Sequence, residues 1–105
     1  MPYTDLAALP SRSIMGCKAR VMHSQHMTFV HWDFEPGQTI PEHAHPHEQV
    51  ATIIEGELEI SVAGETRRVG PGSVVVIPPQ ARHWARALSR CYAIDAFYPI
   101  REDYR

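Results

Sequence analysis

Cysteine is scarce in this sequence: Cys17 and Cys91 are the only two among 105 residues. Two thiols cannot make the disulfide framework of a small extracellular scaffold. They are either one bridge or, more simply, two free, half-buried side chains. Long apolar runs are missing as well. The longest uniformly apolar stretch, Val74–Ile77, is far short of the ~20 residues that cross a bilayer as a helix. Met1–Ile14 mixes polar and apolar residues and includes Pro2 and Pro10, so it has no apolar core of signal-peptide length. The expectation is a soluble cytoplasmic protein. Positive charge is not in excess: 10 Lys and Arg stand against 12 Asp and Glu, a net charge of −2. Without a basic field to gather phosphates, nucleic acid is not an expected partner. Without a basic run, neither is an anionic membrane surface. Helical periodicity is nearly absent too, and only Tyr3–Ala8 reads as weakly helical.

What is present is a set of short β-rich runs punctuated by glycine and proline. Strands are predicted at Cys17–His23, Met27–Phe34, Val50–Glu55, Glu57–Val62, Val74–Ile77, His83–Ala87 and Arg90–Tyr98. Turn signals separate them at Pro36-Gly37, Gly56, Gly64, Gly70-Pro71-Gly72 and Pro78-Pro79. Strands this short, at this spacing, predict an all-β sandwich or barrel in a single domain, residues 1–105. In Glu57–Val62 the side chains of Leu58, Ile60 and Val62 point one way, leaving Glu57, Glu59 and Ser61 on a wet face. Short edge strands, with apolar residues at Val30, Trp32 and Phe34, suggest that a homodimer covers sheet surface. The charged end, Arg101–Arg105, is either a frayed tail or a segment folded back over an opening.

Histidine is the abundant residue, with seven copies, three of them at His43, His45 and His47. In an extended chain residues two apart share a face, so His43 and His45 can present their rings to one point. Gln49 shares that parity and can offer its amide oxygen. A fourth group must come from elsewhere in the fold, and His83, after Pro78-Pro79, is the candidate. Three neutral imidazoles and one oxygen suit a single divalent transition metal; Ni, Zn, Fe, Mn and Co all fit. His23, His26 and His31 read as surface or hydrogen-bonded residues. His47, in a loop after Pro46, reads as a neighbour of the site rather than a ligand.

On the last strand Cys91, Ala93, Asp95 and Phe97 share one face, and Tyr92, Ile94 and Ala96 the other. Alternation leaves open which face lines the barrel. Asp95 is therefore either an acid beside the metal or an acid on a wet surface.

The framing of the histidines resembles the cupin superfamily. Its first motif, G-x5-H-x-H-x3/4-E-x6-G, is met by Gly37, His43, His45 and Gly56, with Gln49 in place of Glu. Its second motif is met at Pro78 and His83, with Gln80 in place of Gly and Ala87 in place of Asn. The resemblance implies a double-stranded β-helix, or jelly-roll barrel, with its core at about residues 29–98 and the metal inside its mouth. A narrower resemblance is to the KdgF-type cupins of pectin and alginate breakdown. It rests on His43-Ala-His45-Pro-His-Glu-Gln49, Glu55-Gly56-Glu57-Leu58 and Asp95-x-Phe97-x-Pro99-x-Arg101-Glu-Asp. It implies metal binding by His43, His45, Gln49 and His83, with Asp95, Phe97 and Arg101 completing the site. Tyr98 departs from the small residue common in that group.

The implied reaction opens the ring of a 4,5-unsaturated monouronate to its linear keto form. The residues suit it. Arg101 can grip a carboxylate through both arms of its guanidinium. Asp95 can act as general acid or base, and Phe97 supplies an apolar wall. Gln49, being neutral, leaves a divalent ion its full charge, which favours Lewis-acid chemistry over oxidative iron chemistry. An iron-dependent dioxygenase and a non-catalytic small-molecule-binding domain are the alternative readings. The expected partner is a small anionic molecule, a sugar acid.

Overall fold

A computed structural model of the chain describes residues 2–105. It contains ten strands: β1 (Arg12–Ile14), β2 (Cys17–His23), β3 (Thr28–Phe34), β4 (Thr39–His43), β5 (Glu48–Glu55), β6 (Leu58–Val62), β7 (Glu65–Val69), β8 (Val74–Ile77), β9 (His83–Ala87) and β10 (Cys91–Tyr98). They form a six-stranded sheet, β1-β2-β3-β10-β5-β8, and a four-stranded sheet, β4-β9-β6-β7. This is the all-β jelly-roll arrangement, with antiparallel pairing throughout. The helical content is a 3-10 turn at Leu6–Ala8, capped by the Asp5 carboxylate, and another at Glu102–Tyr104. No helix among the described residues is long and apolar enough to cross a membrane.

The core lies between the sheets. Val30, Trp32 and Phe34 of β3 pack with Ile53, Leu58, Ile60, Ala93 and Phe97. Alternation on β3 and β10 is strict, with every second side chain buried, as expected for strands with one face on a core.

Three strands were not legible. β1 and β4 are short, and β4 carries Pro41 and a register break between Ile40 and His43. β7 is a sheet edge with four of its five residues exposed, so its sequence, Glu-Thr-Arg-Arg-Val, has no apolar face to betray it. Two expectations need correction. Val30, Trp32 and Phe34 are 0%, 3% and 4% exposed, so they belong to the core and cannot meet another subunit. Ser61 is buried rather than wet; it sits across from the large Trp84, in a sheet whose neighbours shade a small side chain. Cys17 and Cys91 are both free and buried, and burial pushes the Cys91 thiol up to about 11.

Gly56, at the β5–β6 turn, has a backbone only glycine adopts cheaply, with φ +79°. A Cβ there would collide with the Arg90 carbonyl oxygen and lie 2.8 Å from Cys91 Cα. Gly56→Ala is expected to cost about 2–5 kcal/mol, left-handed strain plus overpacking against backbone. Chemical denaturation measures it, and a loss under about 1 kcal/mol would mean that the turn relaxes.

Candidate metal centre

The β4–β9 pairing sets His43 directly opposite His83 in the register. Their ring centroids are 4.2 Å apart. His45 lies in the loop just beyond β4, 4.9 Å from the His83 ring and 5.4 Å from that of His43. One nitrogen from each of the three lies within 4.8 Å of the others. These three histidines can therefore hold a metal. Two loops are tied together at this point, because Gln80 N donates to His45 O at 2.8 Å. Gln80 does so at φ +67°, a left-handed backbone at the position where the cupin motif has glycine.

The tautomers suit metal binding. Nδ1 of His43 faces Pro41 O at 2.8 Å, Nδ1 of His45 faces His47 O at 3.1 Å, and Nδ1 of His83 faces Ala81 O at 2.8 Å. A carbonyl only accepts, so each Nδ1 carries the proton and each Nε2 a lone pair. This is how a protein orients imidazole ligands. His83 Nε2 is buried with no partner. His45 Nε2 faces Gln49 Oε1 at 3.0 Å, and a cation is what satisfies two lone pairs turned toward each other. Burial lowers the His45 pKa to about 4, helped by the positive charge of Arg101 and by His83. Burial lowers that of His83 as well. Both rings are thus neutral, as ligands must be.

Beside this cluster lies the chemistry of β10. Phe97 pairs across to Gln49, and Asp95 to Ala51. Asp95 faces inward and is 8% exposed, which settles the two readings of the strand. Its Oδ2 accepts from Trp32 Nε1 at 2.9 Å. Burial raises its pKa to about 6, against the hydrogen bonds from Trp32 and Gln49 and the charge of Arg101. Asp95, Phe97 and Arg101 line one cavity with His43, Gln49 and His83.

The tail folds back over this end. Arg101 N donates to Thr28 Oγ1 at 2.9 Å, and Tyr104 is buried. Arg101 is 6% exposed, and its guanidinium lies against two rings set edge to face, 4.8 Å from that of Phe97 and 4.1 Å from that of Tyr104. One expectation changes here. Nε and Nη2 of Arg101 already grip Asp103, at 3.0 and 2.8 Å. The fork is occupied, and Nη1, buried and without a partner, is the donor left for an anion. Trp32, Asp103 and Tyr104 were not read as site residues. An indole in the middle of an alternating strand, and an aromatic in a charged tail, were the signals available.

Opposed titrations give the metal-free protein a distinctive acid response. His45 takes a proton near 6.5 when unfolded and near 4 when folded, so it removes stability as pH falls through that window. Asp95 releases its proton near 3.8 when unfolded and near 6 when folded, so it removes stability as pH rises through that window. Each effect is on the order of 3 kcal/mol, and between pH 4 and 6 they largely cancel, leaving a shallow decline on acidification from His83. Asp95→Asn removes the opposing half. The expected result is a steep acid loss in that variant, read by urea unfolding of metal-free protein, and equal slopes in the two proteins would refute the pairing.

A family model described as a cupin domain matches residues 30–97. No curated protein matches the chain in sequence. Among solved structures, an RmlC-like cupin from Shewanella frigidimarina is 27% identical, with a TM-score of 0.94 over 100% of this chain and 96% of the other. KdgF from a Halomonas species is 29% identical, with a TM-score of 0.86 over 91% of each chain. Oxalate decarboxylase from Bacillus subtilis, a protein with Mn(II) centres, is 20% identical over 91% of this chain and 29% of its own, with a TM-score of 0.81. That last likeness is one of fold alone.

Proposed function

The chain belongs to the cupin family, and from the groups gathered in its barrel we propose that it is a metal-dependent enzyme opening the ring of a 4,5-unsaturated monouronate to the linear keto form. The observation that carries this reading is the presence, in one cavity, of a buried acid titrating near neutrality, an arginine with one free buried donor, and a histidine cluster. The likeness to KdgF supports the same choice.

His43, His45, Gln49 and His83 would hold the metal. When bound, it would supply a Lewis acid that polarises a substrate oxygen. Arg101 Nη1 binds the uronate carboxylate, with the guanidinium kept in place by Asp103 and by the Phe97 and Tyr104 rings packed against it. Phe97 forms the apolar wall against the sugar. The conversion is an isomerisation without redox change: the bond from C1 to the ring oxygen opens, the anomeric hydroxyl gives up a proton, and C4 gains one. A single carboxyl can carry that proton, and Asp95 is the group available. Its raised pKa puts it near the operating range of a general acid–base. Trp32 and Gln49 hold the carboxyl group in place for the transfer.

The test is an ultraviolet assay for loss of the enol-ether chromophore, using metal-loaded protein and 4,5-unsaturated galacturonate or its 2-epimer. Turnover that disappears on chelation supports the proposal. Absence of turnover by fully metal-loaded protein would refute it.

A further inference from the structure

The tail after β10, residues 99–105, covers one end of the cavity, and two residues that the reaction does not use hold it there. His23 and Thr28 are a cross-strand pair at the end of the β2–β3 hairpin. Thr28 is fully buried. Its Oγ1 accepts from Arg101 N at 2.9 Å and lies 2.8 Å from His23 Nδ1. The other ring nitrogen of His23, Nε2, faces the Tyr104 carbonyl oxygen at 3.4 Å. A carbonyl only accepts, so Nε2 carries the proton and Nδ1 takes the hydrogen bond of the Thr28 hydroxyl. The bonds then run one way: Arg101 N–H to Thr28, Thr28 O–H to His23, and His23 N–H to Tyr104 O. This chain begins and ends on the tail, at Arg101 and Tyr104, and both of those residues line the cavity.

The tail is otherwise self-contained. Its ion pairs close within it, Arg101 on Asp103 and Arg105 on Glu102, so it can move as a unit with Arg101 still oriented. The cavity holds about 50 Å³, room for roughly four waters at the ~10–15 Å³ that each needs. A uronate ring with its carboxylate and hydroxyls is larger than that, so part of the wall must open to admit one. Apart from Met15, in the β1–β2 turn, and the two tail residues, every lining residue stands on a strand. The tail is the part of that wall held by few bonds, and such segments open locally. We propose that the tail opens to admit substrate and closes over it, and that His23 and Thr28 are positioning residues that latch it shut. Closure sets Arg101 Nη1 against the substrate carboxylate and keeps water out. The part the latch plays in turnover rests on the ring-opening function proposed above; the latch itself does not.

Full-length, metal-loaded protein serves for both readouts. Hydrogen exchange followed by mass spectrometry should show the amides of residues 99–105 opening faster than those of β10. Thr28→Val keeps the side-chain shape and removes both bonds of the hydroxyl. Tail exchange should then rise about tenfold, with β10 unchanged. Thr28→Ser should restore wild-type exchange. With unsaturated galacturonate, Thr28→Val and His23→Phe should raise KM about tenfold and leave kcat within about twofold, because the closed complex reacts as before but is less populated. Residues that merely prop the barrel would instead speed exchange in β10 and lower the melting temperature. The proposal is overturned if tail and β10 exchange together in the wild type, if Thr28→Val leaves tail exchange unchanged, or if KM in an active Thr28→Val protein equals that of the wild type. A wild type without turnover would overturn the ring-opening reading instead, and the exchange rates would still decide the latch.

Discussion

Asp95→Asn is expected to keep its metal and lose about 10²–10⁴-fold in turnover, the range a positioned general acid–base contributes. The substitution is nearly isosteric, and an asparagine oxygen can still accept from Trp32 Nε1, so the barrel should close as before. What disappears is the capacity to take up and release a proton. Asp95 is suited to that task by its surroundings. Burial raises its pKa to about 6, while the bonds from Trp32 and Gln49 and the charge of Arg101 keep it from rising further. The expected split is a collapse of kcat with little change in KM, because Arg101 and Phe97 still bind the substrate. Elemental analysis of the same preparation separates a chemical effect from loss of metal. Full activity in a metal-replete Asp95→Asn protein would remove Asp95 from the reaction.

His83→Ala is expected to cost more than ~100-fold in metal affinity, since even partners one step removed from a metal cost 10–100-fold when lost. His83 is buried, its Nδ1 is committed to Ala81 O, and its Nε2 has no other partner. Its imidazole is therefore spent on nothing but the cluster. Two readouts follow. Metal content after dialysis should fall to background, and added metal should not raise the melting temperature, whereas it should raise that of the wild type. Gln49→Glu is the informative contrast. A carboxylate there should hold a divalent ion at least as well while cancelling part of its charge, so binding survives and turnover falls. If His83→Ala bound metal as the wild type does, the histidine cluster would not be the metal centre.

Much of this site was legible because local chain geometry carries it. His43, His45 and Gln49 lie within seven residues, and spacing by twos in an extended stretch turns their side chains to one side. The strands with one buried face, such as β2, β3 and β10, announce themselves by alternation. The edge strand β7 does not, because neither of its faces is buried. Asp95 marks the boundary of that reasoning. Alternation shows which residues share its face but not which face is inside. The answer came from β3, whose indole at Trp32 reaches the carboxylate from the neighbouring strand of the same sheet. The same indole, read along the sequence with Val30 and Phe34, looked like dimer surface and is core.

Arg101 shows a further limit. Its chemistry was readable, but its availability was not. Only the folded tail reveals that Asp103 occupies its fork, that Tyr104 and Phe97 pack against it, and that Nη1 alone stays free. The sequence by itself determined the all-β class and pointed to the histidines able to hold a metal, with Gln49, Asp95 and Arg101 as candidates beside them, because these follow from residue type and short-range spacing. The tertiary structure decided which side chains face one another: His43 against His83, Trp32 on Asp95, and the tail over the mouth. Those choices depend on strand register and on contacts between residues far apart in the chain, which no local pattern encodes.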